Sequence, residues 1–219
     1  PLLAGQLAAT APARRRPRKS FVSEVSTLCV PPTAAYAPAW ICTAVLSALG
    51  PAEGLRVIAK RSQLMAGLAD KGAVALLELD AAAAEALIAG YPGVTVTVYS
   101  SPRQTVVAGP TEAVDAVIAA AREQNTFARR VNMEVASHTA MMDPILGQLR
   151  TALAGLAPRT PRIPVISTVE NADAATLFDA GHWVANVRSP VRFSQAVATA
   201  GADHCTFIEI SPHPVLTKA

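Results

Sequence analysis

The side chains suited to chemistry are few and widely spaced. Ser137 and His138 are adjacent in the run Val-Ala-Ser-His (135–138), and an imidazole titrates near neutrality, so His138 can serve as a general base or acid. Arg61 follows Lys60 within LRVIAKRSQLM (55–65). A guanidinium presents a planar fork that pairs bidentately with a carboxylate, where an ammonium does not. The plain alternatives are an ordinary loop histidine and a solvated helical arginine. A third group lies late in the chain, at His182, His204, Cys205 and His213, without H-x3-H or H-E-x-x-H spacing, which argues against a metal site. Cys29, Cys42 and Cys205 are an odd number without a C-x-x-C pair, so neither a disulfide framework nor a zinc knuckle is indicated, and a reducing, cytoplasmic setting is expected. No G-x-S-x-G occurs anywhere in the 219 residues, so no serine nucleophile elbow can be assigned.

Composition sets what can position these groups. At 51% hydrophobic and 16% charged, the chain is too apolar for intrinsic disorder and long enough to bury a sizeable core. Aromatic residues are only 5%, which favours helices packed on sheets over an aromatic-rich sandwich. The formal charge of +3 is unevenly spread: residues 1–50 hold five basic groups against Glu24, and the remainder carries 14 basic and 15 acidic groups. A positive charge confined to one short stretch argues against a nucleic-acid-binding face on the folded body. The apolar segment AWICTAVLSALG (39–50), near the end of the longest uncharged run, is shorter than the roughly 20 apolar residues of a membrane span and follows Pro31, Pro32 and Pro38.

Residues 1–43 show no sustained period of 2 or 3.6 and read as a basic, disordered leader. From Pro51 a helix is expected to run to Gly72, with Leu55, Ile58, Leu64, Met65 and Leu68 as its apolar stripe and Gly72 as its cap. Strand, helix, strand, strand, helix and strand patterns then follow at 72–79, 80–91, 94–100, 103–109, 111–124 and 126–134. This β-α-β-β-α-β order is the split βαβ of a ferredoxin-like unit. Beyond it, 144–157 and 191–202 read as helices, while IPVIST (163–168) and CTFIEI (205–210) read as buried strands.

Several of these segments carry a family resemblance. VNMEVASHTAMMDPIL (131–146), HWVANVRSPVRFSQAV (182–197) and FIEISPHPVLT (207–217) resemble the acyltransferase domain of type I modular polyketide synthases, and LRVIAKRSQLM resembles the helix preceding its small subdomain. The combined wording is similar to mycobacterial synthases of methyl-branched lipids, from about Ala44 to the C-terminus. The resemblance implies an α/β fold, with an α/β-hydrolase-like large subdomain, here incomplete (44–71 and 133–219), around an inserted ferredoxin-like βαββαβ small subdomain (72–132). It implies transfer of a malonyl-type group from CoA through an acyl-serine to the phosphopantetheine thiol of a carrier protein. No bound cofactor is then expected, and the partners would be an acyl carrier protein and neighbouring synthase domains, without nucleic acid or a membrane span. By resemblance His138 is the general base and Arg61 the carboxylate-binding arginine. Val135 and Ser137 occupy the extender-specificity motif, where a Ser before the His goes with methylmalonyl, although Val135 departs from the commoner Tyr. His213 in SPHP matches a terminal motif and is read as structural.

The family's GHSxGE turn should fall near residues 34–39, where this chain reads AAYAPA with Tyr36 in the nucleophile's place. The upstream GQGSQ segment is also absent. Residues 1–43 therefore read as foreign text joined by a frameshift or a wrong start, and the domain is expected to be inactive. The large subdomain, short of central strands, is expected to be unstable alone. A non-catalytic docking or scaffold remnant of a synthase is the alternative function, and a free-standing ferredoxin-like regulatory module accounts for fewer of the motifs.

Overall fold

The structure, a computed structural model, describes residues 21–23, 48–133, 135–161, 165–169, 177–202 and 204–207. The fold is α/β. Its order is β1 (Phe21–Ser23), α1 (Pro51–Ala66), β2 (Ala73–Leu77), α2 (Ala81–Ile88), β3 (Thr95–Ser101), β4 (Gln104–Gly109), α3 (Thr111–Glu123), β5 (Ala128–Val131), a 3-10 turn (Ala140–Met142), α4 (Asp143–Leu153), β6 (Val165–Ser167), α5 (Ala180–Arg188) and α6 (Phe193–Gly201).

Strands β2 to β5 form one antiparallel sheet in the order β3-β4-β2-β5, the strand arrangement of a ferredoxin-like unit. Asp80 starts α2 by accepting a hydrogen bond from the Ala83 N–H at 2.8 Å, as an N-cap aspartate should. The central strand β2 is apolar on both faces because both are covered. Ala73, Ala75 and Leu77 pack under α2 and α3 with Val107, Val114 and Val117. Val74 points the other way, joining Val106, Ala108 and Ala136, with Met133 and Met141 packed against them. The loop that leads to His138 therefore rests on the back of the small sheet.

The second core lies among α1, α4 and α5, where Val57, Met65, Ile145, Leu149, Leu153, Trp183 and Val187 meet. Trp183 satisfies its indole N–H on the Phe178 carbonyl at 3.0 Å. Glu53 ties α1 to the end of α4, its carboxylate accepting from the Gly50 and Ala157 N–H groups at 2.9 Å each. Those two bonds hold the Glu53 carboxyl below its usual pKa.

Three details differ from the sequence-based expectation. Helix α1 ends at Ala66, not Gly72, and Asp70 takes a left-handed turn with φ 61°. Gly72 is required for close approach instead: a Cβ there would lie 2.7 Å from the Ala136 Cβ and 2.9 Å from the Gly109 carbonyl oxygen. The buried stripe of α1 is Gly54, Val57, Arg61 and Met65, leaving Leu55 53% exposed. Within the residues read as a disordered leader, β1 pairs in parallel with β6, Phe21 opposite Val165. Of CTFIEI, residues 205–207 are not in a strand, and the rest lies outside the described residues, as do Tyr36, Cys29, Cys42 and His213.

Candidate active site

Arg61 owes its position to helical periodicity. Residues 54, 57, 61 and 65 recur on one face of α1, so the arginine sits in the middle of the stripe that faces the core, and only 2% of it is exposed. The reading of a solvated helical arginine fails on that burial. Its Nε is buried without a hydrogen-bond partner, and Arg61 forms no ion pair among the described residues. Burying a cation without a counter-charge is costly.

His138 is placed by the loop between β5 and α4. Thr139 organises its exit, donating from Oγ1 to the Ala136 carbonyl at 2.7 Å and accepting from the Met141 N–H at 3.1 Å, which caps the 3-10 turn. His138 itself adopts a left-handed conformation with φ 64°. That region is sparsely used by non-glycine residues, although histidine is among the types enriched there, and it persists where neighbours over-determine it. Here they do. The His138 N–H donates to the Val187 carbonyl at 3.0 Å, and its Nδ1 lies 2.7 Å from the Ser189 carbonyl oxygen. Both acceptors belong to the C-terminal end of α5, which Asp179 starts by capping the His182 N–H at 2.8 Å and which Arg188 ties to α4 through Asp143 at 2.6 Å.

The chemistry of the imidazole follows from these contacts. A carbonyl oxygen can only accept, so Nδ1 carries the proton and Nε2 presents a lone pair. Nε2 is buried and has no hydrogen-bond partner among the described residues. Burial, followed by the neighbouring Arg61 cation, pulls the His138 pKa down to about 3, against a smaller upward pull from the Ser189 hydrogen bond. The ring is neutral at physiological pH, held in one tautomer, with its free nitrogen beside a buried positive charge.

Of the expected site residues, Arg61 and His138 are thus brought within electrostatic reach. Ser137 is buried beside His138 and turns tightly, its N–H donating to the Val135 carbonyl at 2.9 Å. Val135 packs into the core with Met65 and Val187. The late histidines stand elsewhere: the His182 ring lies 4.8 Å from Phe178 and 5.3 Å from Trp183, and His204 Nδ1 lies 3.1 Å from the Ala200 carbonyl at the end of α6. Sequence reasoning missed the Val187 and Ser189 carbonyls, which carry no side-chain signature. Thr139 could have been found as a cap residue ahead of Ala-Met-Met-Asp-Pro.

A family model for the acyl transferase domain matches residues 40–219. The chain belongs to the acyl transferase domain family. Its match begins a few residues before the Ala44 expected from the motifs. The acyltransferase domain is 63% identical over 175 residues to a phenolphthiocerol/phthiocerol polyketide synthase protein of Mycobacterium tuberculosis (strain CDC 1551 / Oshkosh), covering 80% of this chain and 10% of that protein. It is 59% identical over 181 residues to a second component of the same synthase from the same strain, covering 80% of this chain and 12% of that one. The chain thus spans about a tenth of the length of these curated relatives. Among solved structures, it matches the acyltransferase domain of the polyketide synthase PpsC of Mycobacterium tuberculosis with a TM-score of 0.79 and 53% identity, over 83% of this chain and 56% of that one. The acyltransferase domain from module 8 of the salinomycin polyketide synthase matches with a TM-score of 0.79 and 34% identity, over 83% and 44%. This is an acyltransferase domain of the polyketide synthase kind, and among its described residues no helix is long and apolar enough to cross a membrane.

Proposed function

We propose that this domain descends from a loader of methylmalonyl-type units, retains the acid-binding and base-bearing half of the site, and does not form an acyl-enzyme as it stands. The observation that carries this reading is the buried Arg61 guanidinium, without a carboxylate partner among the described residues, near a neutral His138 whose Nε2 has no hydrogen-bond partner among them. A free carboxylate at the distal end of a malonyl-type thioester supplies the missing counter-charge. The small Ser137 before the histidine favours an α-branched unit, although one methyl group is worth only about 1–3 kcal/mol in a pocket.

In the full reaction a serine Oγ attacks the thioester carbonyl while His138 takes its proton and delivers it to the departing CoA thiol. The carrier's phosphopantetheine thiol then attacks the acyl-serine ester, and the proton path reverses to regenerate the serine. CoA thioester is substrate here, an acyl carrier protein and neighbouring synthase domains are the partners, and the cytoplasm is the setting. The sequence places Tyr36 where the serine belongs and has no G-x-S-x-G, so the first bond has no nucleophile to form it. Losing such a nucleophile removes most of the rate even where binding survives.

The test pairs intact-mass spectrometry with calorimetric binding. Incubation with methylmalonyl-CoA is expected to leave the protein mass unchanged, while methylmalonate binds and the Arg61→Met variant does not bind it. A covalent acyl adduct would overturn the inactivity, and binding indifferent to Arg61 would overturn the assignment of the anion site.

A further inference from the structure

The short segment from Val187 to Arg192 joins α5 to α6 and is held on two sides at once. On one side its Val187 and Ser189 carbonyls take both polar groups of His138, the backbone N–H at 3.0 Å and Nδ1 at 2.7 Å. On the other, Val191 lies along β3 as a parallel bridge opposite Val98. The Val191 N–H donates to the Thr97 carbonyl at 2.8 Å, and the Tyr99 N–H donates to the Val191 carbonyl at 2.9 Å. β3 is the edge strand of the small sheet, so Val191 fills hydrogen-bonding positions that no other strand takes. Arg192 completes the attachment. Its guanidinium stands 5.9 Å from the centre of the Tyr99 ring, and its N–H donates to the Thr168 carbonyl at 3.0 Å. The Tyr99 hydroxyl continues the chain into the small subdomain by donating to Glu85 at 3.0 Å.

Only Pro190 separates the residue that holds the imidazole from the residue that holds β3. At about 3.3–3.6 Å of reach per extended residue, and with the intervening φ fixed by the proline ring, the connection has almost no slack. A shift of the β3 edge cannot be absorbed before Ser189 and is passed to the imidazole.

We propose that the Val187–Arg192 segment is a positioning strap: by adding Val191 to the open edge of β3, it ties the seating of the small subdomain to the orientation of the His138 ring. Val191 and Arg192 are then positioning residues, acting on His138 through the backbone of the strap. A second link between the same parts, the packing of Ala136 and Met141 on the back of the sheet, shares Val98 with the strap but includes neither Tyr99 nor Arg192, so the Arg192 variant perturbs the strap without altering a residue of that cluster.

The strap is tested on the full chain without substrate, so its failure leaves the acyl-transfer reading standing, and failure of that reading leaves the strap intact. Arg192→Ala removes the cation over the ring, and Val191→Pro removes the donor to Thr97. Hydrogen exchange of the Tyr99, Val191 and His138 amides is followed together with the nitrogen chemical shifts of the His138 ring, which report its tautomer. Arg192→Ala is expected to speed exchange at Tyr99 and Val191 about threefold or more. His138 should speed up in step, and its ring nitrogens should move away from a single Nδ1–H tautomer, while the Val107 amide in the sheet interior stays protected. Val191→Pro, which has no amide of its own at 191, should speed exchange at Tyr99 and His138 more strongly; if it unfolds the small sheet, Arg192→Ala decides. Loosening at Tyr99 with the His138 amide and ring unchanged overturns the proposal, as does unchanged exchange at all three amides.

Discussion

Acid should weaken this fold through one residue. In the unfolded chain His138 titrates near 6.5, whereas in the folded site burial and the Arg61 cation hold it at about 3. Between those values the unfolded chain binds a proton that the folded one refuses. The stability contributed by keeping the ring neutral is therefore fully present above about pH 6.5 and is lost as pH falls toward 3. Each pH unit in that window costs about 1.4 kcal/mol, so the loss between pH 7 and pH 5 is about 2 kcal/mol, rising to a limit of about 5 kcal/mol. With a urea m-value of about 2 kcal/mol/M, this corresponds to a midpoint shift of about 1 M. The measurement compares urea midpoints of the unaltered chain and of His138→Asn at pH 7 and pH 5. Asparagine tolerates a φ of 64°, and its amide N–H can replace Nδ1 as donor to Ser189. All other titrating groups are common to both proteins and cancel in the difference. The variant should gain about 1 M on the unaltered chain between pH 7 and pH 5; a difference that stays constant across the two pH values would refute a buried, neutral His138.

Three substitutions probe the rest of the reasoning. Gly72→Ala drives a methyl group to 2.7 Å from the Ala136 Cβ, and thermal melting should show a loss of about 1–3 kcal/mol from that overpacking. Leu149→Ala empties a fully buried position between α4 and its neighbours, and chemical denaturation should register about 2–5 kcal/mol. Arg61→Met replaces a buried cation that has no ion pair among the described residues with an apolar side chain of similar reach, so the variant should melt at a higher temperature while losing methylmalonate binding; a lower melting temperature would contradict an uncompensated charge.

The small subdomain is legible in the sequence because its signals are local. Alternation over 94–100, the Asp80 cap and the Ser101-Pro102 turn each act within a few residues, and the β3-β4-β2-β5 sheet follows from them. The helix before it is legible too, but its buried face is not. Apolar counting selects Leu55 and Ile58 along with Met65, whereas packing keeps Met65 but buries Val57 and Arg61 beside it, since a charge in the middle of a buried stripe is something that hydrophobic periodicity is built to reject. Helix α5 escapes notice within HWVANVRS, where β-branched, aromatic and asparagine residues give a weak intrinsic helix signal. Tertiary packing of Trp183, Val184 and Val187 supplies what propensity lacks. The pairing of β1 with β6 has no pattern behind it, because three residues are too few to show a period.

The two halves of the site are positioned by different means. Arg61 is held by the packing of its own helix, and His138 by backbone carbonyls at the end of α5. The Arg61 cation has opposite consequences in the empty and the occupied site. Without an ion pair among the described residues, it adds to the larger effect of burial in suppressing protonation of His138. Once a carboxylate neutralises it, on the proposed reading, the Arg61 share of that suppression ends while the larger share from burial remains, and the imidazole becomes a somewhat stronger base. On that reading, binding of a carboxylate at Arg61 and the basicity of His138 are linked through one charge.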